Sequence, residues 1–317
     1  MVMAARRIDV HLHFIPSFYR DAVYEAGTGP ALGRYPDWSP ELALELMDRS
    51  EIETAITSLA QPGVQFVTGE AARRLARRCN EYAAELNQRW PRRFGAFALV
   101  PMHDRDHAIA EIDHAYDALC FAGVCLFASY GEKFLGDPHF DPVLAALDRR
   151  GAVVFVHPAY HPSSRGLDLP WPGFMMEYLF DTTRAAANLL LSGTLERFPH
   201  IRFILAHAGG VLPYFAWRLS VAPMIDSRMP QLPRAAILAG LKRYWYDTAL
   251  SPGAQTMGAL ATVAAPERIV FGSDWPFANA RVVAEALTAH TEPGLHAPDR
   301  LAAIDRANAL ALFPQFA

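Results

Sequence analysis

Short apolar runs alternate with longer stretches in which apolar positions recur at helical spacing, from one end of the chain to the other. The short runs predict strands at 7–12, 53–59, 94–99, 123–127, 152–156, 201–206, 244–248 and 268–272. Runs such as AVVFV, IRFILA and RIVFG are apolar on both faces, as strands sheathed by helices must be. Helical patterns cover 68–90, 104–119, 140–150, 182–198, 210–222 and 252–264, with 280–290 and 298–313 after the last strand. A further helix opens at Ser39-Pro40-Glu41: a capping hydroxyl, a proline at the first helical position and an acid at the positive dipole end. Eight strands alternating with helices predict a closed (β/α)8 barrel, a single domain over residues 1–317. An open doubly wound sheet is the rival, but no glycine-rich phosphate loop follows the first strand. The long connections at 14–38 and 158–173 suit active-site loops at the carboxyl ends of barrel strands.

Composition narrows the class. Of 317 residues 52% are hydrophobic and 20% charged, enough for a large core. With 29 basic and 33 acidic side chains the net charge is −4, so nothing attracts nucleic acid or an anionic membrane. No apolar run is long enough to span a membrane, and the opening MVMAARRIDVHLHF lacks the apolar stretch of a leader. Cys79, Cys120 and Cys125 are odd in number, which fits the reducing cytoplasm.

The polar residues at strand ends carry the chemistry. The first strand ends His11-Leu12-His13, the fifth at His157, the sixth at His207 and the eighth at Asp274. In a barrel these ends meet at one mouth, so four imidazoles and a carboxylate converge there. That is a ligand set for a divalent transition metal with a position left open for water or substrate. Each feature alone has a plainer reading: His157 and His207 as hydrogen-bonded core residues, Asp274 as a helix cap. His103, His107 and His114 belong to a surface helix, and His139, His200, His290 and His296 to exposed contexts. His161, in the long loop after the fifth strand, is a candidate for the pocket lining.

The HxH pair, VVFVHP, FILAHAGG and RIVFGSDWPF together resemble the amidohydrolase superfamily. The stretches WSPELALELMDRSEI, PRRFGAFALVPM and DTTRAAANLLLSGTLERFP resemble its decarboxylase branch, which includes aminocarboxymuconate semialdehyde, resorcylate and 6-methylsalicylate decarboxylases. The resemblance implies His11, His13, His157 and Asp274 as metal ligands and His207 as an acid/base residue beside the metal. It implies Arg34, four residues before Trp38, as a partner for the substrate carboxylate, and Phe174 as a pocket aromatic. Arg218, eleven residues after His207, matches an arginine donated across a dimer interface, which implies a homodimer. Lys133 stands too far beyond the fourth strand to bridge two metals, so one metal is expected; Cys125 reads as a buried hydrophobe.

The expected activity is non-oxidative decarboxylation of a small hydroxyaromatic acid with no organic cofactor, by a proton delivered to the ring carbon by Asp274 or, as the resemblance to the muconate-semialdehyde enzymes implies, by addition of metal hydroxide; the sequence does not choose between these routes. The metal is zinc or manganese, since imidazole and carboxylate suit both. One competitor is a lactonase or amidase that uses water activated by the same metal. A non-catalytic barrel binding a small acid is the other, and the intact ligand set argues against it.

Overall fold

Strands with two apolar faces must be covered on one side by helices and on the other by each other, and a closed barrel does both. The computed structural model describes residues 6–164, 166–167 and 169–317. Residues 1–5 of the segment read for a leader, and Arg165 and Asp168 of the expected long loop, lie outside the described residues. The barrel strands are β1 (Arg7–His13), β2 (Ile52–Ser58), β3 (Phe94–Leu99), β4 (Gly123–Phe127), β5 (Val153–His157), β6 (Arg202–Leu205), β7 (Trp245–Asp247) and β8 (Ile269–Val270). They pair in parallel in sequence order. Backbone bonds from Val10 N to Phe271 O (3.0 Å) and from His13 N to Trp275 O (2.7 Å) join the last strand region to the first. Gly272 permits this approach, because a Cβ there would stand 2.9 Å from His11 Cβ.

Alternate side chains divide between two cores. Val124, Leu126, Val154 and Val156 face the helices, whereas Phe97, Cys125, Val153 and Phe155 fill the barrel. Phe97 stacks on Phe155 at 5.4 Å, and Phe313 from the terminal helix closes edge-on against Phe97. The barrel is therefore solid beneath its mouth. His11 stands on this aromatic layer, its ring 4.8 Å from Phe155.

Helices follow the expected pattern with instructive differences. Ser39 caps Pro40–Arg49 by accepting from Leu42 N at 3.2 Å, as the local sequence requires. The helix expected at 182–198 instead runs Phe174–Leu191, and Gly193 at φ +72° separates it from the short Thr194–Arg197. Its first two turns, FMMEYLFD, carry apolar residues that serve a cavity rather than the core, so their spacing gave no amphipathic signal. The connection 14–38 contains an unexpected helix, Ser17–Glu25, and Arg234–Leu241 is a second. A short antiparallel hairpin, Ser129–Tyr130 with Lys133–Phe134, follows β4. His290, expected to be exposed, is 1% exposed and bonded to Asp305, because the terminal turn Ala303–Ala307 folds back over its helix.

Candidate active site

β1 delivers His11 and His13 side by side, their Nε2 atoms 3.1 Å apart. Asp274 joins them from beyond β8, with Oδ1 3.3 Å from His11 Nε2 and 3.2 Å from His13 Nε2. Its backbone sits at φ +61° and is hooked to β1 by a bond from Asp274 N to His11 O at 2.7 Å. Left-handed backbone costs a non-glycine residue about 1–3 kcal/mol and persists only where its surroundings enforce it. His207 and Ala208 are held likewise at φ +54° and +55°. Adding His157 from the end of β5 gives four buried residues whose donor atoms all lie within 4.8 Å of one another. Asp274 caps no helix: Asn279 does that for Ala280–His290.

Each imidazole is anchored through Nδ1. His11 Nδ1 donates to Asp247 Oδ2 at 2.7 Å, His13 Nδ1 faces Ser58 O at 3.2 Å, and His157 Nδ1 donates to Pro158 O at 2.8 Å. This leaves each Nε2 as the inward-facing donor of an electron pair. Two such nitrogens 3.1 Å apart repel unless a proton or a metal cation stands between them. The residues therefore fit a divalent cation. The electrostatics agree. Burial lowers His11, but Asp247 and Asp274 overcome it and carry the imidazole up to about 10, so positive charge is favoured there. Burial with neighbouring imidazoles holds His157 well below its usual value, and burial keeps His13 low. Burial raises Asp274, yet His11, His13 and His207 outweigh it and hold the carboxyl well below the usual range.

His207 stands beside this cluster. Its Nε2 lies 3.4 Å from Asp274 Oδ2, and its backbone N donates to Asp247 Oδ1 at 2.8 Å. Asp247 thus fixes both His11 and the turn that carries His207. Sequence reasoning missed Asp247, although an aspartate ending a core strand in WYDT was a signal of the kind used for Asp274.

Above the cluster lies a cavity of about 550 Å³ lined by His157, His207 and Asp274 at its polar end. Phe174 lines it, with Leu32, Met175, Leu179, Leu250 and Phe277 making the wall mostly apolar. Gln61 and Tyr178, which the sequence did not single out, supply polar groups, the Tyr178 hydroxyl donating to Gln61 Oε1 at 3.2 Å. Among the described residues no lysine or arginine lines this cavity. Arg34 is exposed on the turn that contributes Ala31 and Leu32 to the wall. Arg218 is exposed on the helix Leu212–Ile225, away from the cavity lining. His161 is buried but stacks on Phe134 at 4.4 Å instead of lining the cavity. Lys133 is exposed and pairs with Asp137 at 3.3 Å, and Cys125 is buried in the barrel.

Comparison with known proteins adds chemistry to this geometry. Residues 8–315 match the amidohydrolase family. The chain is 39% identical over 277 residues to a 6-methylsalicylic acid decarboxylase of Penicillium expansum, covering 85% of each chain. It is 37% identical to a 6-methylsalicylic acid decarboxylase of Aspergillus aculeatus, covering 98% of this chain and 96% of that one. The crystal structure of a 2,6-dihydroxybenzoate decarboxylase with 2,6-dihydroxybenzoate superposes with a TM-score of 0.80 at 25% identity, over 97% of this chain and 99% of that one.

Proposed function

Because the chain belongs to the amidohydrolase family, we propose that it is a metal-dependent carboxy-lyase that releases carbon dioxide from a small hydroxyaromatic acid such as 6-methylsalicylate. The observation that carries this reading is the buried cluster His11, His13, His157 and Asp274 at the polar end of an apolar cavity, in a chain whose relatives decarboxylate aromatic acids. The same relatives favour decarboxylation over hydrolysis. Residues 1–317 act as one domain around this centre.

A divalent cation held by those four residues, zinc in our reading with manganese the alternative, supplies a Lewis acid and template for a carboxylate with an adjacent hydroxyl. The chain's own residues then manage the ring and the proton. Phe174, Leu179 and Phe277 hold the ring by apolar contact. Gln61 accepts from Tyr178 through its amide oxygen, which turns its amide nitrogen into a fixed donor for a substrate oxygen. Asp274 lines the cavity and turns Oδ2 towards His207, which makes it the group placed to hand a proton to the ring. His207 resupplies that proton across their 3.4 Å contact. The proton reaches the ring carbon bearing the carboxylate, the bond to the carboxyl carbon breaks, and its electron pair restores the aromatic ring as carbon dioxide leaves.

Arg34 meets the anionic substrate at the rim. Arg218 acts in a homodimer: its helix exposes Tyr214 (85%) and Trp217 (65%), an apolar face that a second copy would cover. Among the described residues no helix is long and apolar enough to cross a membrane. The three cysteines are free, which supports a place in the reducing cytoplasm. The decisive experiment measures carbon dioxide release from 6-methylsalicylate and 2,6-dihydroxybenzoate beside hydrolysis of neutral lactones and esters. Carbon dioxide from either acid is expected. Lactone hydrolysis without carbon dioxide from any acid would overturn the reading.

A further inference from the structure

The three imidazoles of the cluster are anchored by three kinds of acceptor. His11 meets the Asp247 carboxylate directly, His13 meets Ser58, and His157 meets the carbonyl of Pro158. That carbonyl belongs to the peptide group whose N–H, on Ala159, donates to Asp181 Oδ2 at 2.7 Å. Asp181 is 1% exposed, and its Oδ1 accepts from the Ser129 hydroxyl at 3.0 Å. Among the described residues it forms no ion pair. A buried carboxylate thus presses on one end of a peptide group while a metal-ligand imidazole hangs from the other.

We propose that Asp181 is a positioning residue of the metal centre, the remote carboxylate partner of His157 acting through the Pro158–Ala159 peptide. The proposal rests on the reading of His157 as a ligand. A peptide group is a resonant dipole, so negative charge at its N–H shifts electron density onto its oxygen. Pro158 O then becomes a stronger acceptor, His157 Nδ1–H is held more firmly, and Nε2 donates more strongly to a cation. Asp247 does this for His11 by contact, and Asp181 does it for His157 at one remove. Burial pushes the Asp181 carboxyl up to about 6, which still leaves it ionised at neutral pH. Arg184 and His161 lie near enough to favour that charge without bonding to it. The same contact ties the start of the long loop after β5 to the helix Phe174–Leu191, whose residues line the cavity.

Asp181→Asn separates charge from shape. An asparagine can accept from Ala159 N–H through Oδ1 and donate through Nδ2 to Ser129 Oγ, keeping both hydrogen bonds without the charge. Ser129→Ala is the counterpart, removing a bond and keeping the charge. Zinc affinity is measured by competition with a chromophoric chelator, and the melting temperature of the metal-free proteins is followed in parallel. D181N is expected to bind zinc about tenfold more weakly than wild type, in the range of partners that orient ligands, while S129A stays within about twofold. The visible bands of the cobalt-substituted protein should shift in D181N and not in S129A. Wild-type zinc affinity in D181N would overturn the proposal and leave the metal site standing. Equal losses in both variants that follow their melting temperatures would also overturn it. A wild-type chain that binds no zinc would overturn the site reading with it.

Discussion

The barrel carries a buried cluster of histidine and aspartate at each end, and the two solve opposite problems. At the floor, Asp305 Oδ1 takes Arg7 Nε at 3.1 Å and His290 Nε2 at 2.8 Å, while Arg7 Nη1 donates to Ser50 O at 2.8 Å. One carboxylate is satisfied there by a guanidinium and an imidazole, and the residues are sealed from solvent. At the mouth, three imidazoles turn their Nε2 atoms towards one carboxylate with no lysine or arginine among the described residues of the cavity wall, and the cluster opens into about 550 Å³ of space. The floor brings its own cation. The mouth is built to receive one from outside. Similar side chains therefore make a structural lock where the charge is closed and a chemical site where it is left open.

Loss of a side chain from the mouth cluster should have the largest effect. His157→Ala should purify with far less than one metal per chain and lose carbon dioxide release about a thousandfold or more, since it forfeits the cation's stabilisation of the reacting charge. His290→Ala should keep its metal and its rate while melting lower. Elemental analysis beside activity reads both, and full metal in H157A would erase the distinction between the two clusters. His207→Ala, beside but outside the proposed ligand set, should retain metal and lose about 10²–10⁴ in kcat. Loss of metal in that variant would make His207 a ligand.

At the floor, Asp305→Ala removes the buried acceptor that Arg7 and His290 share, leaving Arg7 only the exposed Glu51 at 3.8 Å as a counter-charge. Urea unfolding should show a loss of about 3–5 kcal/mol, with metal content unchanged in the folded protein. A metal-poor but stable D305A would mean that the floor serves the mouth. The smallest effect belongs to Arg34→Ala. An exposed guanidinium at the rim contributes about 0.2–1 kcal/mol, so kcat/KM for 6-methylsalicylate should fall no more than about fivefold, and less at high salt. A fall of a hundredfold would show Arg34 entering the cavity, and the mouth would then own a cation after all.

Strand periodicity and topology are enough to bring the strand-end side chains to one mouth. A side chain at the end of a core strand must face the barrel mouth, and His11, His13, His157 and Asp274 meet there within 4.8 Å. That much is local: it follows from the strand pattern and from strands pairing in chain order. The groups that hold and complete the site are not local. Asp247 reaches His11 across 236 residues, Tyr178 reaches Gln61 across 117, and Asp305 buries His290 by a fold-back that no pattern announces. Arg34 and Arg218 sit in segments whose sequence is the same whether their side chains face inward or outward, and the fold leaves both exposed. The sequence by itself determined which strands form and which imidazoles and carboxylate stand at their ends, because alternation and chain order are properties of the backbone. The tertiary structure alone decided which partner orients each imidazole and which cation is kept out, because those depend on side chains meeting through space.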